Sequence, residues 1–301
     1  MPRIALVTAR AARGTDHDMP LLLAALRDAG ASAHEADWDD AAVDWSRFEL
    51  ALLRSTWDYC ERLPEFLAWA ERTARQTRVL NPLDAIGWNT DKHYLTALER
   101  AGVPVVPGRF VEPGDAAGAA LAAVLSAHPA ARDIVVKPAV GAGSRDAERH
   151  PRAANGATLK HLQRLLDAGR SVLLQPYLER VDADGETALV FFNGAFSHAI
   201  RKGPLLQRGA EATRELYAAE TITPRTPSSE ERDVAQRALA ALPFGEPLLY
   251  ARVDLIRADD GSPRVLELEL VEPSVFIGHA EGAAARFAAA ILQRMTASPR
   301  H

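Results

Sequence analysis

Two apolar segments in the C-terminal part of the chain, residues 248–257 and 263–270, carry charged residues at alternate positions. The charged residues are Arg252, Asp254, Glu267 and Glu269. Alternate residues of a β-strand point to the same side of a sheet, and the Asp-Asp-Gly-Ser sequence between the segments is typical of a hairpin turn. The pattern therefore predicts two antiparallel strands that place all four charged side chains on one face.

The carboxylates on this face require a cation. Like charges on neighbouring positions of a half-buried strand repel each other, and burial of an unpaired charge is costly. Carboxylate oxygens are hard ligands of the kind that Mg²⁺ takes, usually together with water and phosphate oxygens. We therefore predict a magnesium site at Asp254, Glu267 and Glu269. A solvated strand face is the alternative.

Lysine is rare in this chain, with four lysines among 35 basic residues. Lysine carries a compact, mobile charge that suits a phosphate oxygen, whereas arginine offers a rigid planar fork. Lys92 opens a predicted helix, Lys202 ends a strand-like segment, and Lys137 precedes the glycine-containing loop 141–144. We interpret these three lysines as phosphate contacts and expect Lys160, on a polar helix face, to be solvated. Chance retention is the alternative for any one of them.

The composition argues against several classes of protein. The 301 residues have a net charge of -5 and no basic run, which disfavours a nucleic-acid partner. No apolar run is long enough to span a bilayer, and Cys60 is the single cysteine, so no intrachain disulfide can form. We expect a cytoplasmic protein, a monomer or a homodimer, that binds a small amino-acid-like molecule and neither nucleic acid nor membrane.

The first eighty residues alternate between strand-like and helix-like segments, which is typical of a parallel sheet. No G-x-G-x-x-G sequence follows the first strand, so a dinucleotide fingerprint is missing. The third strand runs into the polar and aromatic segment 54–59, and open parallel sheets bind ligands at the carboxyl ends of strands. We predict an N-terminal substrate-binding domain at residues 1–88, followed by domains at 89–173 and 174–301.

Residues 203–227 are polar and lack a clear period. A lid over a binding site and a mobile surface excursion are both compatible with this composition.

Taken in order, these features resemble the ATP-grasp superfamily of carboxylate–amine ligases, which includes D-alanine:D-alanine ligase and glutathione synthetase. The resemblance covers about residues 85–280. It implies an α/β fold in which a parallel-sheet domain precedes two α+β domains that clasp ATP. It also implies that ATP and magnesium convert a carboxylate into an acyl phosphate, which a nitrogen then attacks.

The resemblance implies roles for individual residues. Those implied to bind ATP are Lys92, Lys137, Gly141, Gly143, Ser144, Gln175, Tyr177, Leu178, Glu186 and Lys202. Arg252 and Lys202 are implied to be catalytic, and the three carboxylates already named occupy the metal positions. Glu269 stands where asparagine is commoner, so the site is one charge more negative and the number of magnesium ions stays open. For Glu186, a plain surface position is the alternative.

Segments 54–59, 89–92 and 269–274 resemble a narrower group within the superfamily, the O-ureido-serine cyclo-ligases of D-cycloserine biosynthesis. This likeness implies that ATP activates the serine carboxylate and that the aminooxy nitrogen closes a ring, with loss of carbon dioxide and ammonia. The residues implied to hold such a zwitterionic substrate are Arg54, Thr56, Asp58, Arg201 and Ser274. A salt-bridged strand end is the alternative for Arg54 and Asp58.

Two other functions remain open. An intermolecular ligase, similar to glutathione synthetase, would join a carboxylate to a separate amine. A nucleotide-binding module without catalysis is disfavoured because the full set of lysine, arginine and carboxylate residues is present. A P-loop kinase is excluded, since no lysine follows the G-x-x-x-x-G-K-[ST] spacing.

Overall fold

The computed structural model describes residues 2–206, 221–245 and 248–296. Its first sheet has the order β2-β1-β3-β4, with all strands parallel. The strands are β1 (Arg3–Thr8), β2 (Ser32–Asp37), β3 (Leu50–Ser55) and β4 (Arg78–Leu80). Helices α1 (Met19–Asp28) and α2 (Leu63–Ala74) connect them, and α3 (Leu83–Asn89) and α4 (Tyr94–Arg100) follow. The prediction of an N-terminal parallel sheet is confirmed.

The second sheet is antiparallel, with the order β5-β8-β6-β7. Its strands are β5 (Arg109–Val111), β6 (Asp133–Pro138), β7 (Glu148–Pro151) and β8 (Val172–Pro176). Two helices, α5 (Ala117–Ala127) and α6 (Asn155–Asp167), bury their apolar residues against it. Strand β7 is an edge strand that follows the glycine-containing loop directly.

The third sheet is antiparallel, with the order β11-β10-β9-β12-β13. Its strands are β9 (Glu186–Phe192), β10 (Ala195–Lys202), β11 (Ile222–Pro224), β12 (Tyr250–Arg257) and β13 (Pro263–Glu269). The helices of this region are α7 (Val181–Asp184), α8 (Ser229–Ala240) and α9 (Ala283–Thr296). The predicted charged hairpin is β12–β13. Residues 207–220, the middle of the polar segment 203–227 for which a lid and a surface excursion were both open, lie outside the described residues. The domain boundaries at residues 88 and 173 stay a prediction.

The first sheet shares its core with the end of the chain. Leu22 and Leu26 of α1 belong to one buried cluster with Phe287 and Ile291 of α9. The carboxylate of Asp18 accepts hydrogen bonds from three consecutive backbone N–H groups, at residues 275–277, over 2.7 to 2.9 Å. Because a single buried carboxylate satisfies three donors, the loop after β13 is fixed against the loop after β1.

The outer edge of β13 is satisfied mainly by side chains, not by another strand. Tyr94 Oη accepts from the N–H of Leu268 at 3.0 Å, and Asn89 bonds the carbonyl of Leu268 and the N–H of Leu270 at 2.8 and 2.7 Å. Asn81 donates to the carbonyl of Leu270 at 2.8 Å. Unpaired strand edges are costly when buried, so these side chains fix the segment around α3 and α4 against β13.

Among the helices within the described ranges, none has the length and hydrophobicity that crossing a bilayer requires.

Replacement of Asn81 by Ala should destabilise the protein by about 3 kcal/mol, because Asn81 is fully buried and its side chain bonds the carbonyls of Tyr250 and Leu270 and the N–H of Leu249. Thermal unfolding should show a melting temperature lowered by roughly 5–10 °C. Asn155→Ala, at an exposed position at the start of α6, is the matched control. Equal melting temperatures for the two variants would contradict this role of Asn81.

Candidate active site

A cavity of about 700 Å³ is bordered by residues from all three sheets and their loops. The first sheet contributes residues 15–18, Trp57 and Tyr59. The second sheet contributes Lys137 and residues 141–145, and the third contributes Glu186, Lys202, Arg252, Glu267 and Glu269. All ten residues predicted to bind ATP border this cavity. The fold therefore brings these ten residues together in space, although they are spread over more than a hundred residues of the sequence.

Two of the three candidate lysines converge on Glu267. The Lys137 ammonium donates to Glu267 Oε1 at 3.1 Å, and the Lys92 ammonium lies 3.7 Å from the same oxygen. Lys92 also donates to the carbonyl of Gly141 at 3.0 Å, which ties it to the glycine-containing loop. Both lysines are nearly buried. A group with greater negative charge than one carboxylate could take both contacts.

The third lysine lies on the same face of the third sheet as the charged hairpin. Lys202 is opposite Glu186 in the β9–β10 register, and its ammonium contacts Glu186 at 2.8 Å and Asp254 at 2.7 Å. Arg252 binds both oxygens of Asp254, at 2.8 and 3.0 Å, and also contacts Glu269, its partner across β12–β13. Cations and carboxylates therefore alternate across the face.

The ion pairs set the protonation of two carboxylates. Burial alone would raise the pKa of Glu267, but Lys92, Lys137 and Lys202 together hold it well below its usual range. Burial likewise opposes ionisation of Asp254, yet Arg252 and Lys202 lower its pKa. Burial lowers the pKa of Lys137, and the nearby Glu267 only partly offsets this effect.

Two other carboxyl groups are shifted the opposite way. Burial raises the pKa of Glu269 to about 7, helped by Asp254 and Glu267 and opposed by Arg252. Burial and repulsion from Glu269 raise the pKa of Glu272 to about 8. Burial is the main cause of both shifts and neighbouring carboxylates add to it, so a cation bound beside these groups would lower both pKa values.

Two of the three predicted metal ligands face the cavity. Glu267 and Glu269 border it, whereas Asp254 lies behind them, 1% exposed and bonded to Lys202 and Arg252. The three carboxylates offer only oxygen donors, a set that fits a hard divalent cation such as Mg²⁺. Their ion pairs would have to rearrange for all three to hold one ion.

The glycine-containing loop forms one wall of the cavity. Gly143 and Ser144 both have positive φ angles, 61° and 60°. Glycine adopts such angles without steric cost. After them, Asp146 accepts from Arg170 and Arg164 at 2.6 and 3.1 Å. These bonds fix the end of the loop, while its beginning is held by Lys92.

One end of the cavity is apolar. Its walls include Val106, Val135, Leu178, Ile256 and Leu266. Gln175 and Tyr177 border this end, but the Gln175 amide donates to the carbonyl of Val106 at 3.2 Å and the Tyr177 N–H donates to that of Asp133 at 3.0 Å. The Gln175 amide and the Tyr177 N–H, on two of the residues predicted to bind ATP, are thus already bonded within the protein.

Of the residues predicted to bind the substrate, Ser274 borders the cavity and the other four do not. Arg54 is fully buried and donates to the carbonyl of Pro273 at 3.0 Å. Thr56 is also fully buried, and Asp58 accepts from Trp38 and Arg62. The chain leaves β3 through a 3₁₀ turn at Trp57–Glu61. Because of this turn, Trp57 and Tyr59, not residues 56 and 58, reach the cavity.

Arg201 is the fourth of these residues. Its guanidinium donates to the carbonyls of Ala183 and Asp184, at 3.0 and 2.8 Å, and it closes the end of α7 instead of facing the cavity. Strand alternation explains this placement, since Lys202 on the neighbouring position faces the site.

Sequence reasoning gave no role to several cavity residues, among them Asp16, His17, Asp18 and Glu272. Burial raises the pKa of Asp16, whose carboxylate lies 3.9 Å from Arg54. The signal was available, because residues 15–18 follow the first strand of a parallel sheet, where ligands bind. Glu272 lies in segment 269–274, whose resemblance to the cyclo-ligases was the available signal, but its direction depends on the loop after β13.

Replacement of Glu272 by Gln should flatten the pH dependence of stability. A folded pKa of about 8, above the usual value of a glutamate, means that the folded state holds a proton that the unfolded state has lost. The stability of the native protein should therefore fall as pH rises from about 4.5 to about 8, and the glutamine variant should be the more stable at pH 9. Melting temperatures of the metal-free native protein and variant, measured across this pH range, test the prediction. Glu71→Gln, at an exposed position on α2, is the control. Melting temperatures of the native protein and of Glu272→Gln that change in parallel with pH would contradict the raised pKa of Glu272.

Comparison with known proteins places these features in a family. The model of the D-cycloserine synthetase DcsG N-terminal domain matches residues 4–81. The cycloserine biosynthesis protein DcsG of Streptomyces lavendulae is 45% identical over 296 residues, which cover 97% of this chain and 98% of that protein. A crystal structure of D-cycloserine synthetase DcsG has 44% identity and a TM-score of 0.92, covering 98% of this chain and all of the other.

More distant structures share the fold. The D-alanine–D-alanine ligase of Bacillus anthracis, complexed with ATP, has 14% identity and a TM-score of 0.67 over 98% of this chain and 97% of its own. The ATP-grasp ligase PsnB, complexed with a minimal precursor, Mg and ADP, has 20% identity and a TM-score of 0.62 over 98% of both chains. The predicted ATP-grasp fold is confirmed, and the chain belongs to the D-cycloserine synthetase DcsG family of ATP-grasp ligases.

Proposed function

We propose that this ligase uses ATP and Mg²⁺ to activate the carboxylate of O-ureido-serine and to close the cycloserine ring. The observation that carries the proposal is the shared cavity. In it, three lysines, an arginine and the carboxylates of β13 face the same space as Trp57, Tyr59 and residues 16–18 of the first sheet. A nucleotide and a small polar substrate can therefore meet there.

The nucleotide would lie along the second and third sheets. The apolar end of the cavity suits a base, and Glu186 suits a ribose hydroxyl. Lys92, Lys137 and the backbone of the glycine-containing loop would contact the phosphates, because small residues let N–H groups approach an anion closely. The present pairing of both lysines with Glu267 supports this placement, since a phosphate could replace that carboxylate as their partner.

Asp254, Glu267 and Glu269 would hold the magnesium. An ion there would neutralise negative charge on the phosphates during transfer. The raised pKa of Glu269 fits this role, because a cation would compensate the excess negative charge that the protein alone leaves beside Asp254.

The chemistry would proceed in two displacements. The substrate carboxylate attacks the γ-phosphorus of ATP, which releases ADP and forms an acyl phosphate. The nitrogen bonded to the side-chain oxygen then attacks the acyl carbon, expels phosphate and closes the ring. The carbamoyl group leaves as carbon dioxide and ammonia, with one water consumed overall. Lys202 would spread charge on the transferred group, and Arg252 would stabilise the oxyanion at the acyl carbon.

The substrate would occupy the part of the cavity next to the first sheet. Ser274 is the predicted substrate contact that borders it, and Asp16 is a nearby buried carboxylate suited to an ammonium group. Arg54 would act from behind, by holding the carbonyl of Pro273 next to Ser274. A cytoplasmic location, a monomeric or homodimeric state and the three-domain division are parts of the same proposal.

Replacement of Glu267 by Gln should lower turnover by at least about 100-fold. The variant loses a magnesium ligand and the charge that positions Lys92 and Lys137. ADP release measured against magnesium concentration should also show a higher requirement for the ion. Glu71→Gln should behave as the native enzyme does. Unchanged turnover and magnesium dependence in the Glu267 variant would remove the proposed metal site.

A substrate screen separates ring closure from intermolecular ligation. ADP release should occur with O-ureido-serine alone, and mass spectrometry should find a product lighter by one carbon dioxide and one ammonia. ADP release that requires a separate amine, with a product that contains it, would favour the glutathione synthetase-like function instead. No turnover with any substrate, at intact ATP affinity, would favour a binding module.

A further inference from the structure

Three potential metal ligands meet outside the cavity, between β7 and α6. Glu148 and His150 occupy alternate positions of β7, and His161 lies on α6. One ligand atom from each residue lies within 4.8 Å of the other two. His150 Nε2 is 3.0 Å from His161 Nδ1 and 3.7 Å from Glu148 Oε2, and His161 Nε2 is 3.5 Å from Glu148 Oε1.

The two imidazoles are buried, with His150 and His161 7% and 5% exposed. They share a hydrogen bond between His150 Nε2 and His161 Nδ1, which an ion bound between them would replace. Glu148 supplies a negative charge at the partly exposed side of the cluster.

A second observation also points to a ligand. His161 Nε2 is buried and makes no hydrogen bond of good geometry within the described ranges, although Glu148 Oε1 lies 3.5 Å away. A buried imidazole nitrogen without a partner is costly. Arg164 lies 3.9 Å from Glu148, but its charge is paired with Asp146 at 3.1 Å, so it leaves the carboxylate available.

We propose that Glu148, His150 and His161 form a site for a divalent transition-metal ion, Zn²⁺ in the first instance. Zn²⁺ binds two histidines and a carboxylate with a fourth position open to water, at separations of about 3.3 Å between tetrahedral ligands. One ligand atom from each residue lies within 4.8 Å of the other two, so the three side chains would draw closer together around the ion. Mg²⁺ is a poor fit, because it prefers oxygen donors.

The position of the site gives it a structural consequence. Residues 141–145 of the glycine-containing loop border the cavity, and β7 begins three residues later. Asp146, between the loop and the strand, accepts a hydrogen bond from Arg164 of α6. An ion that joins β7 to α6 would fix the base of this loop. The proposal does not depend on the ligase reaction proposed above.

Calorimetric titration of chelator-treated protein with ZnCl₂, in excess magnesium, tests the site. One equivalent of Zn²⁺ should bind with micromolar or tighter affinity, and Co²⁺ should give the visible absorption of a four-coordinate complex. His161→Ala should lose this binding. Glu148→Gln, which keeps the size of a partly exposed side chain, should weaken it by about tenfold or more. His128→Ala, at a partly exposed histidine after α5, is the matched control and should bind as the native protein does.

Two results would overturn the site. One is the absence of Zn²⁺ binding to the native protein up to high micromolar concentration. The other is equal binding by the native protein, Glu148→Gln and His128→Ala, which would place the ion elsewhere. If His161→Ala fails to fold, Glu148→Gln still decides the question, because this partly exposed residue can be changed without a change in size. A Zn²⁺-dependent rise in melting temperature, present in the native protein and absent in Glu148→Gln, gives a readout independent of catalysis.

Discussion

The side-chain hydrogen bonds along the outer edge of β13 determine the geometry of the site. Asn89 and Tyr94 bond the backbone of residues 268 and 270, which leaves the alternate side chains, Glu267 and Glu269, directed at the cavity. Lys92 lies in the chain between Asn89 and Tyr94. The hydrogen bonds that satisfy the buried edge of β13 therefore also position the Lys92 ammonium next to Glu267. The same bonds fix both the orientation of the strand and the position of this charge.

The charged face of the third sheet is stable because its members compensate each other. Buried charges are tolerated when they are paired and hydrogen-bonded, and Arg252 and Lys202 meet this condition around Asp254. Glu269 and Glu272 instead have raised pKa values, mainly because they are buried. Both residues border the cavity, at the place where we propose that magnesium binds.

Sequence reasoning succeeded where side-chain direction follows from strand periodicity. Alternation placed Arg252, Asp254, Glu267 and Glu269 on one face, and the rarity of lysine identified three of the cavity's cations. It does not give the side-chain directions of residues 56–59, because a 3₁₀ turn replaces the strand period after Ser55. It was also silent where packing between distant elements decides the contacts. The groups in this class are Asp18 with residues 275–277, Asn81 with β12 and β13, and Glu148 with His150 and His161.

The shared core of α1 and α9 has a consequence for synthesis of the protein on the ribosome. The first sheet and α1 are made early, but the apolar side that α9 covers stays open until residues 283–296 have emerged. At ordinary rates of translation, the interval is roughly ten to forty seconds. During that time the nascent N-terminal segment exposes an unfilled hydrophobic surface, which makes it a natural client for chaperones that bind emerging chains.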